Sequence, residues 1–278
     1  MTPFVLSTET PYFYTPISRL AAKPAIPKTF NFATYNAHFA KRPREIAEAI
    51  NLCPALKECD MIALQEVEAY PDETAPRIET IARLCGYHSL YAPAREQKRR
   101  GRTGTHGLAI LSRHKLEDID VFELPRYELG PKTRRRICMT CKVSLGSETV
   151  RIYNAHLDTR ITAEERIAQL EPIVRDASRF PGEKIVIAGD INTIPSLKWA
   201  KDGLPIWRMG QRLIIDNYMR EQGFHFIEPK REDYTMRFGI KMMLDAVYVK
   251  NISILESSIE YDVKNSDHFP LRTKLRLS

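Results

Sequence analysis

KIVIAGDIN, residues 184–192, is the stretch on which the reading of this chain turns. Ile185, Val186, Ile187 and Ala188 make a continuous apolar run, which predicts a strand buried on both faces. The run ends on a tight turn that Gly189 permits. Asp190 stands at the end of the buried strand, placed to orient or deprotonate a water, and Asn192 follows two residues on. A Gly-Asp-x-Asn turn is commonplace by itself; its weight comes from its company.

Five more segments place a carboxylate, amide or imidazole at the edge of an apolar run. TFNFATYN (29–36) alternates like a strand and delivers Asn36; LQEV (64–67) carries Glu66 at the end of an apolar run; NAHLD (154–158) carries His156. LDAVYV (244–249) opens on Asp245, and NSDHFPL (265–271) holds Asp267 and His268. Strand ends that converge on one crevice assemble a site from distant sequence. A carboxylate-rich set with His and Asn suits a hard divalent cation, Mg²⁺ or Mn²⁺, and a phosphate ester. Glu66 closes a run too apolar to keep a carboxylate for packing reasons, so it calls for a cation or a strong donor. The candidate ligands are oxygen donors and the motifs hold no thiolate, which disfavours structural zinc. Asn192 is expected to donate to a phosphoryl oxygen or hold the nucleophile. His38, His88, His106, His114 and His225 read as ordinary core or surface histidines.

The element order is strand- and hairpin-rich. Helices are expected over about 44–58, 75–85 (stopping at Gly86) and 162–178, where Thr162 and Glu165 form a capping box. Another covers RLIIDNYMREQ and stops at Gly223. RICMTCKVSL and ETVRIYNAHL flank a turn near Gly146 as a hairpin. YHSLYAP and HGLAILS read as strands on either side of a basic segment, 95–105. No GxGxxG is present, and strands returning through hairpins favour two packed, mostly antiparallel sheets with helices outside over a Rossmann fold. The expected class is therefore α+β, a four-layer α/β/β/α sandwich, with one domain over 29–278 and an N-terminal arm over 1–28.

The whole set resembles the endonuclease/exonuclease/phosphatase superfamily, the fold of DNase I and exonuclease III, across residues 29–277. The resemblance implies Glu66 as principal metal ligand, with Asn36 beside it and Asp267 near the same ion. It implies Asp190 as general base, Asp245 paired with His268 at the scissile phosphate, and His156 across the phosphate as donor or leaving-group acid. An active-site arginine is expected where the central strand begins, at Arg135 or Arg136. Arg166 and Gln169 match the superfamily's RxxQ helix and read as scaffold. QEVE replaces the QETK usual in abasic-site endonucleases, and MLDAV replaces the Trp-Cys-Asp-Arg signature of inositol polyphosphate 5-phosphatases. LQEV, the Glu165–Arg166 pair and NSDH look similar to tyrosyl-DNA phosphodiesterases and the deadenylase group.

Composition agrees with that direction. The 42 basic against 35 acidic residues, net +7, favour a polyanionic partner. REQKRRGRTGTH (95–106) places Arg95, Lys98, Arg99, Arg100 and Arg102 where they are expected to track a phosphodiester backbone, and KTRRR (132–136) is a second basic cluster. The expected activity is hydrolysis of nucleic acid, DNA foremost, by a monomer; the alternative is a small or lipid phosphodiester, as in sphingomyelinases. Five cysteines suggest no disulfide framework and a reducing, cytoplasmic setting. Cys138 and Cys141 form a CxxC on a strand, where i and i+3 face opposite ways, so a redox or zinc role is not expected. The N-terminus shows no Sec signal, and no apolar run spans a membrane, so no membrane partner is expected.

Overall fold

A computed structural model describes residues 12–16, 28–130, 133–193, 210–237 and 241–277. One sheet has seven strands in the order β1 (Phe13–Thr15), β4 (His88–Arg99), β5 (Arg102–Ser112), β3 (Met61–Ala69), β2 (Thr29–Phe39), β12 (Leu271–Arg276), β11 (Ser253–Ile259). The other has five: β10 (Asp245–Lys250), β9 (Lys184–Asp190), β8 (Glu148–His156), β7 (Ile137–Leu145) and β6 (Glu117–Glu123). Among these, β2–β3 and β8–β9 pair in parallel and the rest antiparallel. Each parallel pair is joined by helix: α1 (Pro43–Leu52) and α2 (Pro54–Lys57) in the first, α4 (Ala163–Ala177) in the second. Helices α3 (Arg77–Cys85) and α5 (Gly210–Glu221) complete the outer layers.

Three apolar layers hold these four together. Phe32, Ile110, Met139, Val150 and Val186 fill the space between the sheets. Ile46, Ile50, Ile78 and Ile81 pack helices on Ile62 and Leu64. Leu170, Ile173, Ile215 and Met219 pack on Tyr153 and Ile187. The apolar run of β9 is explained by this arrangement: Val186 and Ala188 face the other sheet, while Ile185 and Ile187 face the helices. The α/β/β/α sandwich read from the sequence is the fold of this chain.

Local chemistry sets the element ends. Thr162 and Glu165 cap α4 reciprocally, and Gly86, at φ 71°, ends α3 in the left-handed conformation. The single helix expected over 44–58 is broken. Pro54 has no N–H to continue the ladder and pushes Cys53 to an extended ψ of 110°, so α1 ends and α2 restarts. The basic segment 95–105 is likewise strand, with β4 and β5 running on as one long hairpin. Its tip is Arg100–Gly101, both at positive φ (51° and 76°), as a tight two-residue hairpin turn requires. Part of the N-terminal arm, Phe13–Thr15, adds an edge strand on β4. All five cysteines are free; Cys138 packs towards the helices and Cys141 between the sheets, and burial pushes both thiols up. No helix of the described residues is long and apolar enough to cross a membrane.

Candidate active site

The register of the five-stranded sheet aligns three site residues at one level: His156 lies opposite Asp190, and Asp190 opposite Asp245. Gly189 makes this approach possible. At φ 145° an added Cβ there would sit 1.8 Å from the Ala155 carbonyl oxygen. From the other sheet, Asn36 Nδ2 donates to Asp190 Oδ2 at 2.9 Å. The same oxygen lies 3.6 Å from His156 Nε2 and 3.8 Å from His268 Nε2. The second carboxylate oxygen, Oδ1, accepts the Asn192 backbone N–H at 3.0 Å. Asn192, at φ 53°, donates its side-chain N–H to Leu157 O, leaving Oδ1 and one N–H to the site. His268 is fixed through Nδ1 on Asp245 Oδ2 at 2.7 Å.

Glu66 is presented by a bulge. Leu64 pairs with Ala109 and Val67 with Gly107, so Gln65 and Glu66 oppose one residue of β5, and Glu66 takes φ 55°. Gln65, re-aimed by that bulge, donates through Nε2 to Asn154 Oδ1 at 2.8 Å across the two sheets. Asn154 in turn donates to Leu64 O and Ala109 O, so a fully buried polar tie fixes the Glu66 side of the site against the His156 side.

Burial and then the charge of Asp267 raise the Glu66 carboxyl, against the pull of Arg136. Burial also raises Asp190, reinforced by Asp245 and Glu66 and opposed by His268 and the Asn36 amide. Burial works against a charged His268, but the Asp245 and Asp190 carboxylates prevail and hold it up to about 10. His156 is pushed well below the usual range by burial, then by Arg136 and His106. Crowded carboxylates that resist ionisation are what a bound cation relieves. Glu66 and Asp267, with the Asn36 amide oxygen, are hard oxygen donors that fit a divalent ion. Two carboxylate–imidazole groups, Glu66–His106–His156 and Asp190–Asp245–His268, each bring one ligand atom per residue within 4.8 Å of one another.

Of the two candidate arginines, Arg136 is half-buried beside the site, 3.6 Å from Asp158 Oδ2, whereas Arg135 pairs with Glu123 at 2.8 Å. Both line a narrow cleft with Arg95, His106 and His156. Arg99 pairs with the buried Glu68 at 3.2 Å and stacks on Phe39, and Arg102 pairs with Asp72 and Glu73 and stacks on Tyr70. Arg100 and Lys98 are exposed near the hairpin tip. Arg166 and Gln169 serve as scaffold: Arg166 Nη1 holds Ile161 O, while Gln169 Oε1 accepts the Asp158 N–H and its Nε2 holds Pro125 O.

Two histidines read as ordinary belong here. His38 Nδ1 lies 3.0 Å from Asp267 Oδ2, in a run (His38, Phe39, Ala40) at positive φ throughout. His106 is buried, with Nδ1 unpartnered. For His38, its place two residues after Asn36 was the available signal; for His106, only its strand neighbours reveal it.

The sequence profile of the Endonuclease/Exonuclease/phosphatase family matches residues 33–268. No curated protein matches. An endonuclease/exonuclease/phosphatase from Beutenbergia cavernae is similar in structure, with TM-score 0.71 and 20% identity over 91% of this chain and 72% of that one. ANGEL2, described as a 2′,3′-cyclic phosphatase in complex with adenosine-2′,3′-vanadate, has TM-score 0.62 and 17% identity over 90% and 96%. A humanized D. rerio TDP2 has TM-score 0.55 and 15% identity over 90% and 100%. With the profile spanning every residue of the Asp190-centred site, this chain belongs to the endonuclease/exonuclease/phosphatase family, hydrolases of phosphoester bonds.

Proposed function

We propose that this protein is a Mg²⁺- or Mn²⁺-dependent phosphodiesterase acting on nucleic acid, with DNA as the expected polymer. The observation that carries the chemistry is the convergence on Asp190 Oδ2 of the Asn36 amide and two imidazoles, with Glu66 nearby. Glu66, Asp267 and the Asn36 amide oxygen would hold the ion, which would supply positive charge to offset the phosphate. Asp190, anchored at both oxygens and raised towards neutrality, takes the proton of the attacking water. As the water oxygen bonds to phosphorus, the bond to the leaving oxygen breaks with its electron pair. His268, kept cationic by Asp245, faces the charge that develops on the phosphoryl oxygens. His156, neutral beside Arg136, donates a hydrogen bond on the opposite side. Arg136 steadies the same phosphate.

The basic hairpin and the net charge support a polymer, and the adenosine-2′,3′-vanadate bound to ANGEL2 supports a nucleotide-containing substrate. One observation favours the alternative of a small or lipid phosphodiester: Arg99 and Arg102 already face carboxylates. Lys98 also lies 3.3 Å from Glu96, but that pair is exposed, so Lys98 and Arg100 are the informative positions. Replacing both by alanine should reduce the slope of log K against log salt for oligonucleotide binding by about 0.7–0.9 per lost contact. An unchanged slope, with turnover of a small diester, would favour the small-substrate reading.

A further inference from the structure

The His268–Asp245 pair joins two segments 23 residues apart, and neither belongs to a strand paired with the other's. One fully buried residue outside the expected set touches both, through its side chain on one segment and its backbone on the other. Thr235 Oγ1 accepts the backbone N–H groups of Leu244 and Asp245, at 3.0 and 3.2 Å. Its carbonyl accepts the Phe269 N–H at 2.8 Å, and its own N–H donates to Met242 O at 3.0 Å. The residues that follow continue along the His268 segment: Met236 bridges to His268, and the Arg237 N–H donates to Asp267 O at 2.6 Å. The Leu244 carbonyl, from the same backbone turn, receives the Ile191 N–H beside Asp190. Thr235 thus closes a clasp whose hydroxyl fixes the first residues of β10 and whose carbonyl fixes the residue after His268.

We infer that Thr235 is a positioning residue for the catalytic pair, its hydroxyl setting Asp245 against His268. The inference rests on the role proposed above for that pair. Loss of the hydroxyl at constant shape leaves two buried N–H groups without an acceptor, and the start of β10 must move to find one. A displacement of the order of 1 Å at a reacting group costs up to about 10²-fold in rate.

The test compares wild type, Thr235→Val, Thr235→Ser and His268→Ala on a chromogenic phosphodiester with Mg²⁺. A parallel proton NMR measurement follows the low-field imidazole N–H of His268, assigned by its loss in His268→Ala. Thr235→Val should lower kcat about 10- to 100-fold with KM within about twofold, and shift or erase the low-field signal. Thr235→Ser, which keeps the acceptor, should retain both. A folded Thr235→Val with wild-type kcat and an unmoved signal overturns the inference, as does a Thr235→Ser as impaired as the valine variant. Should Thr235→Val fail to fold, Thr235→Ala, which removes the same hydroxyl without adding bulk, is read in its place by the same criteria. If His268→Ala itself is fully active, the pair's proposed role fails; if His268→Ala is inactive while the threonine variants are not, only the clasp fails.

Discussion

Replacing Gly189 by alanine strikes at the strand pair that aligns the site. The added Cβ would lie 1.8 Å from Ala155 O and 2.9 Å from Ala155 C, whereas ordinary contact begins near 3.4 Å. Both neighbours are backbone of β8, so no side chain can swing aside, and the β8–β9 pair must open by roughly 1.5 Å. Strain from φ 145° adds about 1–3 kcal/mol, and the overpacking about 1–3 kcal/mol more. Together these predict a loss of about 2–6 kcal/mol. The same opening separates His156 from Asp190, each next to the displaced pair. A misplacement of that size costs about 10²-fold in turnover. The assay is thermal unfolding beside hydrolysis of a small chromogenic diester under saturating Mg²⁺. A Gly189→Ala variant with wild-type melting temperature and turnover would refute the claim that this close approach builds the site.

Asp190→Asn and His268→Ala should keep the fold, checked by thermal unfolding, and lower turnover about 10²–10⁴-fold; near-wild-type rates in either would remove its proposed role. His268 has a folded pKa raised to about 10, so its contribution to stability is full below about 6.5 and is lost as pH rises through about 10. Asp245→Asn should therefore melt well below wild type at pH 6, with the gap closing towards pH 10, and a pH-independent gap would contradict this. Glu66, raised in the metal-free protein, costs stability as pH climbs above about 4.3 towards its folded value. Mg²⁺ at 100 times its Kd should add about 2.7 kcal/mol at pH 7.5 and clearly less at pH 5, as calorimetry would show.

Much of this was legible because each functional residue stands at the edge of an apolar run. In KIVIAGDIN the run is apolar on both faces, which a strand sandwiched between a sheet and helices demands, and the carboxylate after it has no packing reason to exist. What escaped depends on partners. The bulge that turns Glu66 and Gln65 exists only relative to β5, so no local pattern marks it. His106 gains its meaning from Glu66 and His156, 40 and 50 residues away. Strand β6, EDIDVFE, has no fully buried residue, and its core-facing alternation is confined to the half-buried Ile119 and Val121. The basic hairpin looked like loop because its charges conceal strand geometry, and its turn is only Arg100–Gly101. Pro54 was the local signal for the break between α1 and α2.

Glu66 is proposed to hold a divalent ion through which this site cleaves nucleic acid. This is tested most directly by incubating a labelled single-stranded oligonucleotide with wild type and Glu66→Ala, each with Mg²⁺ and with excess EDTA. Cleavage by wild type in Mg²⁺ alone is the predicted result. Cleavage by Glu66→Ala, or by wild type in EDTA, at the wild-type Mg²⁺ rate would contradict it.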